Sequence, residues 1–267
     1  MKKSYKAMLS LCLALLALGA GLLLPVARAE AQAGAACSWY VKRNAEHKQP
    51  SLDPAQAEIE KYSAYYVDRA HHDACEERVV YLTFDAGYEN GNVERILDIL
   101  AEENVSAAFF VLKHLIKHDT QLVARMADEG HLVCNHTMNH RDMTALSEKE
   151  FCAEVEGLSK LYANMLGAEM AKYYRPPEGR YSIANLQYAE KLGYKTVFWS
   201  FAYADWDNGN QPTPEAAKKK ILDNIHNGAV LLLHPTSETN AEILGEVIRT
   251  LKSEGYRFGT LDELTGA

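Results

Sequence analysis

Positive charge is scarce in this chain. Its 267 residues carry 28 Lys and Arg against 36 Asp and Glu, a formal net charge of -8, and no stretch gathers basic residues into a run. Such a surface repels nucleic acid and anionic lipid, which excludes nucleic acid as a partner. Cysteine is sparse as well, with five residues at Cys12, Cys37, Cys75, Cys134 and Cys152. That density excludes a disulfide scaffold. A long apolar run occurs at the N-terminus, and the later ones are short enough to be strands.

The N-terminal run, Met8 to Leu24, follows Lys2, Lys3 and Lys6 and precedes "VARAEA", in which Ala27 and Ala29 form an A-x-A cleavage pattern. Residues 1–29 therefore read as a secretory signal, with cleavage expected after Ala29. The competing reading is an uncleaved anchor, because about 17 apolar residues approach the lower limit for a membrane span. Either way the body of the protein is expected outside the cytoplasmic membrane, secreted or associated with the envelope. Removing residues 1–29 takes away four cations, Lys2, Lys3, Lys6 and Arg28, and no acid, so the net charge moves from -8 to -12. Cys12 leaves too, and the remaining four cysteines allow three pairings. Cys37, in "GAAC", lies too far beyond the apolar run to be a lipid attachment site.

Apolar content, by contrast, is ample at 48%. It suffices for one well-packed domain or two small ones. Residues 30–77 are polar and mixed, with Tyr62, Tyr65 and Tyr66, and are expected to wrap onto a domain spanning 78–267. Within that domain, strand-like runs recur at "VVYLTF", "AAFFVL", "HLVCN", "KTVFWSF" and "AVLLLH". Helical patterns separate them. Val93, Ile96, Leu97 and Leu100 fall on one helix face. Ser147 and Glu150 have the spacing of a capping box, and Phe151, Val155, Leu158 and Tyr162 continue its stripe. Thr213 and Pro214 open another helix, and Gly130, Gly193 and Gly255 follow helical segments. This alternation predicts an α/β domain with a parallel sheet, open or closed into a barrel.

In both versions ligands gather at the carboxyl ends of the strands. Asp85, His136, Asp205 and His234 each follow an apolar run and so share one rim. His136 and His140, in "HTMNH", have an i, i+4 spacing that puts two imidazoles on one face of a helical turn, which suits a metal taking neutral nitrogen ligands. A catalytic zinc needs a third protein ligand, and the pair does not supply it. In "RPPEGRYS", Arg175 is a candidate cation to hold a carboxylate ionised, and the helix after it is expected near Ser182. In "ADWDN", Asp205 is placed to orient a histidine and Trp206 to wall a pocket. Asp85 as base facing His234 as acid, beside a histidine-bound metal, is a constellation for hydrolysing a carbonyl compound with an amine leaving group.

These motifs resemble the NodB-homology polysaccharide deacetylases, carbohydrate esterase family 4, over roughly Arg78 to Leu264. "TFDAG", "HTMNH", "RPPEG", "ADW" and "LLLH" match the family's five motifs in order. The resemblance implies a distorted parallel (β/α) barrel of about seven strands and hydrolysis of N-acetyl groups on amino sugars. It implies Asp85 as base held by Arg175, His136 and His140 as ligands of a divalent metal, typically zinc, and His234 as acid tuned by Asp205. Trp206 and Leu232 would line the acetyl pocket, with Tyr88 and Glu178 as further substrate contacts.

Two positions depart from the family pattern. The third metal ligand, an aspartate in the family, is Ala86, and an aromatic residue in the third motif is replaced by Glu178. The first motif followed by "GYENG", the "VFWSFAYADW" run and the tyrosine-bearing extension look most like the delta-lactam-forming muramic acid de-N-acetylases of spore formers. That likeness implies peptidoglycan glycan strands as partner, with no stable protein partner, and peptide-free muramic acid as substrate. Arg180 is the expected cation for the lactyl carboxylate, the alternatives being Arg175 alone or an Arg180 without a role. Two other readings stand beside this one: an N-acetylglucosamine or chitooligosaccharide deacetylase, and an inactive glycan-binding homologue.

Overall fold

The nine residues of Arg78–Ala86 form the central strand because they alternate without interruption between two buried faces. Val80, Leu82, Phe84 and Ala86 pack outward against helices Asn92–Glu102 and Glu238–Ser253. Val79 and Tyr81 pack inward with Ala108, Phe110 and Cys134. Asp85, two and four residues beyond Thr83 and Tyr81, therefore falls on the inner face, while Ala86 falls on the outer one.

The computed structural model describes residues 35–266, so the signal-like segment at 1–29 lies outside the described residues. Among the described residues ten strands run in chain order: β1 (Cys37–Ser38), β2 (Ala64–Tyr65), β3 (Arg78–Ala86), β4 (Ala108–Val111), β5 (Leu132–Asn135), β6 (Tyr173–Tyr174), β7 (Arg180–Tyr181), β8 (Lys195–Val197), β9 (Ala229–Leu233) and β10 (Tyr256–Phe258). The main sheet has the order β10-β3-β4-β5-β6-β8-β2, with β9 also paired to β3. Every pair in it is parallel. A further parallel bridge, Phe201 to Leu231, brings the chain beyond β8 back to β9 and curls the sheet into the expected distorted barrel. β1 and β7 form a separate antiparallel pair.

The helix expectations hold in detail. Val93, Ile96, Leu97 and Leu100 are all buried. The Ser147–Glu150 capping box is formed, as is one at Ser182 and Asn185 that opens Ile183–Lys191. Thr213 caps the helix that Pro214 begins. Five strands escaped the sequence pattern, β1, β2, β6, β7 and β10, because two or three residues are too few to show a period. β2 belongs to residues 30–77, so that stretch contributes an edge of the main sheet as well as a covering layer. "KTVFWSF" is regular strand only as far as Val197, since the carbonyls of Val197 and Phe198 accept from Arg175 rather than from a neighbouring strand. Among the described residues Cys37, Cys75, Cys134 and Cys152 form no disulfide with one another. Among the described residues no helix is long and apolar enough to cross a membrane.

Candidate active site

Because the strands are parallel, their carboxyl ends meet on one rim, and there a cavity of about 680 Å³ opens. Asp85 ends β3, His136 follows β5, Arg175 follows β6 and His234 follows β9. Asp85, His136, His140, His234, Leu232 and Trp206 all line the cavity, as do Tyr88 and Glu178. Trp206 is 63% exposed and stands at the mouth as an open aromatic face.

Arg175 sits behind the wall and is 0% exposed. Its Nη1 donates to Asp85 Oδ1 at 2.8 Å, its Nη2 to Thr83 Oγ1 at 2.9 Å and to Phe198 O at 3.2 Å, and its Nε to Val197 O at 2.9 Å. The guanidinium lies 4.1 Å from the centroid of the Phe110 ring. A buried cation persists only when its donors are satisfied and its charge is met, and Asp85 meets it. Burial by itself would raise the Asp85 pKa; its neighbours His136, Arg175 and His234 outweigh burial and hold it below the usual carboxylate range. Arg175 is the permanent charge among them.

His136 is wholly enclosed, and burial pushes its pKa down to about 4, so the ring is neutral at physiological pH. Its Nδ1 lies 2.9 Å from Arg175 O, which fixes the proton on Nδ1 and leaves the Nε2 lone pair facing Asp85 Oδ2 at 3.5 Å. His140 stands beside it with ring centroids 5.0 Å apart. The pair is not on a helical turn. Thr137 and His140 have left-handed φ values of 73° and 52°. Two side chains stabilise this bend, Asn135 Oδ1 accepting from Thr137 N at 2.9 Å and Thr137 Oγ1 accepting from His140 N at 3.0 Å. The bend thus brings the rings together without helical geometry.

His234 Nδ1 is 2.7 Å from Asp205 Oδ1, and its backbone N–H donates to Asp205 Oδ2 at 2.8 Å. Asp205 is buried. Burial would lower the His234 pKa, but the hydrogen bond and charge of Asp205, joined by the charge of Asp85, raise it above its ordinary value. His234, with its protonated form favoured, therefore faces Asp85, with its ionised form favoured, across one cavity, and an acid and a base with opposed environments suit amide hydrolysis.

Comparison with known proteins agrees with this geometry. Residues 72–197 match the family model described as polysaccharide deacetylase. The chain is 37% identical over 260 residues, 97% of its length and 95% of the relative's, to the peptidoglycan-N-acetylmuramic acid deacetylase PdaA of Bacillus subtilis. The chain belongs to the polysaccharide deacetylase family. Its fold superposes on the structure of B. subtilis PdaA, a family 4 carbohydrate esterase, with a TM-score of 0.81 over 86% of this chain and 97% of that one. A family 4 carbohydrate esterase from Bacillus anthracis is 34% identical with a TM-score of 0.71, covering 87% and 97%. The peptidoglycan-N-acetylglucosamine deacetylase PgdA of Listeria monocytogenes is 34% identical over 70% of this chain and 39% of its own length. Deacetylases of this family are metal-dependent.

In this deacetylase Arg180, the expected cation for the lactyl carboxylate, is not among the residues that line the cavity. Its Nε pairs with Asp142 Oδ2 at 3.0 Å, both side chains being partly exposed. Ala86 is buried in the outer core among Leu82, Phe84 and Val93, away from the cavity. Two positioning residues were not singled out in the sequence. Asn240 donates through Nδ2 to Asp205 Oδ2 at 2.6 Å and to His234 O at 3.1 Å, and its Oδ1 accepts from Tyr203. Its only signal was its place three residues after the cap Ser237. Glu154 accepts from Asn139 N at 2.9 Å and Asn139 Nδ2 at 2.7 Å, steadying the histidine bend. Its signal was a carboxylate on the apolar stripe of Phe151, Val155 and Leu158.

Asp205→Asn is expected to return the His234 pKa toward or below its free value. The protonated acid is then lost at lower pH, so the alkaline limb of the kcat/KM profile moves down in pH and kcat falls by about 10- to 100-fold. A profile that does not move would show that Asp205 does not set the His234 proton.

Proposed function

We propose that this protein hydrolyses the N-acetyl group of muramic acid in peptide-stripped peptidoglycan, releasing acetate and a free amine. The observation that carries the reading is the opposition of Asp85 and His234 in one cavity, each held by its own buried partner, Arg175 and Asp205. Asp85 takes the proton of the attacking water. His234 gives its Nε2 proton to the departing nitrogen as the amide C–N bond breaks. The amine so freed lies on the same sugar as the lactyl carboxyl, the arrangement from which the muramic delta-lactam of spore cortex forms. Export belongs to this reading, since the substrate lies outside the cytoplasmic membrane, and the pattern of residues 1–29 supports it.

Neutral His136, with its Nε2 freed by the Nδ1 contact to Arg175 O, and neighbouring His140 fit a divalent metal, zinc by the chemistry of the donors. When bound, the metal would polarise the acetyl carbonyl. Among the described residues no group of three or more His, Cys, Asp and Glu is disposed around a metal, so two histidines carry the site and loose binding is expected.

Among the described residues no Lys or Arg lines the cavity. Lys113 follows the lining residue Leu112, and its Nζ lies 2.5 Å from Oδ1 of Asn139, which precedes the lining residue His140. Its hydrogen-bond partner is a neutral amide, and it forms no ion pair among the described residues. We assign Lys113, in place of Arg180, to the lactyl carboxylate. A charge-assisted contact of about 1.5–3 kcal/mol corresponds to roughly 10- to 100-fold. Lys113→Gln should therefore reduce by about that factor the ratio of kcat/KM on muramic acid strands to kcat/KM on N-acetylglucosamine oligomers, whereas Arg180→Ala should leave the ratio at its wild-type value. The reverse result would restore Arg180.

The decisive measurement is acetate release from peptide-stripped glycan strands and from chitin oligomers, each with and without a chelator and restored divalent metal. Release from glycan strands that stops on chelation and returns with metal is the expected outcome. Release from chitin oligomers alone would replace the substrate with N-acetylglucosamine, and release indifferent to thorough chelation would remove the metal from the mechanism.

A further inference from the structure

The family match begins at residue 72, yet the cavity wall is tied together by residues well before it. Trp39 is 6% exposed and makes three contacts with two separate parts of that wall. Its backbone N–H donates to Gly179 O at 2.9 Å. Its indole Nε1 donates to Trp199 O at 2.9 Å. Its ring stacks on Phe198 with centroids 4.4 Å apart. Just before it, β1 pairs with β7 in the register Cys37 to Tyr181 and Ser38 to Arg180, and Gln56 Nε2 holds Ser38 O at 2.9 Å.

The segment so gripped is under backbone strain. Glu178 and Gly179 are consecutive left-handed residues, at φ 56° and 65°. A non-glycine residue there costs roughly 1–3 kcal/mol and persists only when its surroundings impose it. Gly179 has no space for a side chain, because a Cβ would lie 2.7 Å from the Trp199 ring and 3.0 Å from Trp39 Cβ. On one side of this joint Glu178 lines the cavity; on the other, Trp199 does. Between them the carbonyls of Val197 and Phe198 accept from Arg175, which holds Asp85.

We propose that Trp39 is a positioning residue of the catalytic cleft, locking the strained Pro176–Arg180 loop to the chain end of β8, and that residues 37–39 are a working part of the enzyme outside its family core. The loop carries Glu178 and the strand end carries Trp199 and the Arg175 acceptors, so releasing the joint lets both walls and the base drift together. Loss of rate then follows from loss of geometry at the reacting groups. The catalytic consequence rests on the deacetylase reading above; the structural link does not.

The test uses the full chain with Trp39→Ala, Trp39→Phe and Gly179→Ala, the last straining the same joint from its other side. Amide hydrogen exchange should quicken at residues 176–181 and 198–200 in Trp39→Ala, with exchange in β4 and helix Glu148–Leu166 unchanged. At a temperature where circular dichroism shows every variant fully folded, kcat should fall by tenfold or more in Trp39→Ala and Gly179→Ala. Trp39→Phe, which keeps the stacked ring and loses the indole donor, should recover part of that loss. Folded Trp39→Ala with kcat within twofold of wild type and unchanged exchange at 176–181 would overturn the proposal. A wild-type enzyme inactive on every glycan would overturn the deacetylase reading instead, and the exchange result would still decide the joint.

Discussion

Asp85→Asn is expected to lower kcat by about 100- to 10,000-fold, the range that a positioned general base contributes, and to cost stability as well, because the buried charge of Arg175 is left without its carboxylate. The amide oxygen keeps an acceptor for Arg175 Nη1, which now sits 2.8 Å from Oδ1, so the Arg175 cage is not opened. What disappears is the proton acceptor. No other carboxylate takes its place readily, because Glu178, the other acidic residue that lines the cavity, is an exposed group without the buried cation that keeps Asp85 ionised. The acid limb of the pH profile, set in the wild type by Asp85, should vanish with it. Acetate release from the variant within tenfold of wild type, measured at matched metal loading, would mean that the base lies elsewhere.

That prediction was accessible from the sequence because parallel strands converge. Asp85, His136 and His234 are 51 and 98 residues apart in the chain, yet each ends an apolar run, and a parallel sheet brings such ends to one rim. The motifs also named the buried pairs, Arg175 with Asp85 and Asp205 with His234, through the family resemblance. What the sequence hid were contacts fixed by bends and by distant partners. The i, i+4 spacing of His136 and His140 is satisfied as well by an Asx turn followed by a threonine turn as by a helix, and spacing does not tell them apart. Arg180 stands near Arg175 in sequence, but it begins β7, is absent from the cavity lining and pairs with Asp142, 38 residues earlier. Trp39 gave no sign at all, since its partners lie 140 and 160 residues away and its role depends on where the loop after Arg175 packs.

Ala86 shows how strand alternation changes the meaning of a substitution. The motif comparison marks it as a missing metal ligand, whereas the strand period puts its methyl group in the outer core with Leu82 and Phe84. The alanine therefore fits the packing of β3 as it stands, which leaves the metal proposed above to the histidine bend. This makes Glu154 and Asn139 consequential, because the orientation of His140 rests on the bend they steady.

Arg175→Met should destabilise the protein by about 3–5 kcal/mol, the cost of leaving one member of a buried ion pair without its partner. Methionine fills much of the volume beside Phe110 and Trp199, so the loss is electrostatic more than steric. The uncompensated group is Asp85. In the wild type its pKa lies below the unfolded value, so it contributes stability that is present above the unfolded pKa and lost as pH falls through the folded one. Without Arg175 burial dominates, the folded pKa rises, and that contribution is lost across the neutral range as well. The same shift moves the acid limb of the activity profile to higher pH, because the base must still be ionised to act. Thermal unfolding from pH 5 to 8 should therefore show Arg175→Met recovering toward wild type as the pH is lowered and Asp85 becomes neutral. The double variant Arg175→Met with Asp85→Asn should regain part of the lost stability at pH 7, since neither buried charge remains. A single variant whose deficit is independent of pH, together with a double variant no more stable than it, would place the role of Arg175 in its contacts to Thr83, Val197 and Phe198 rather than in its charge.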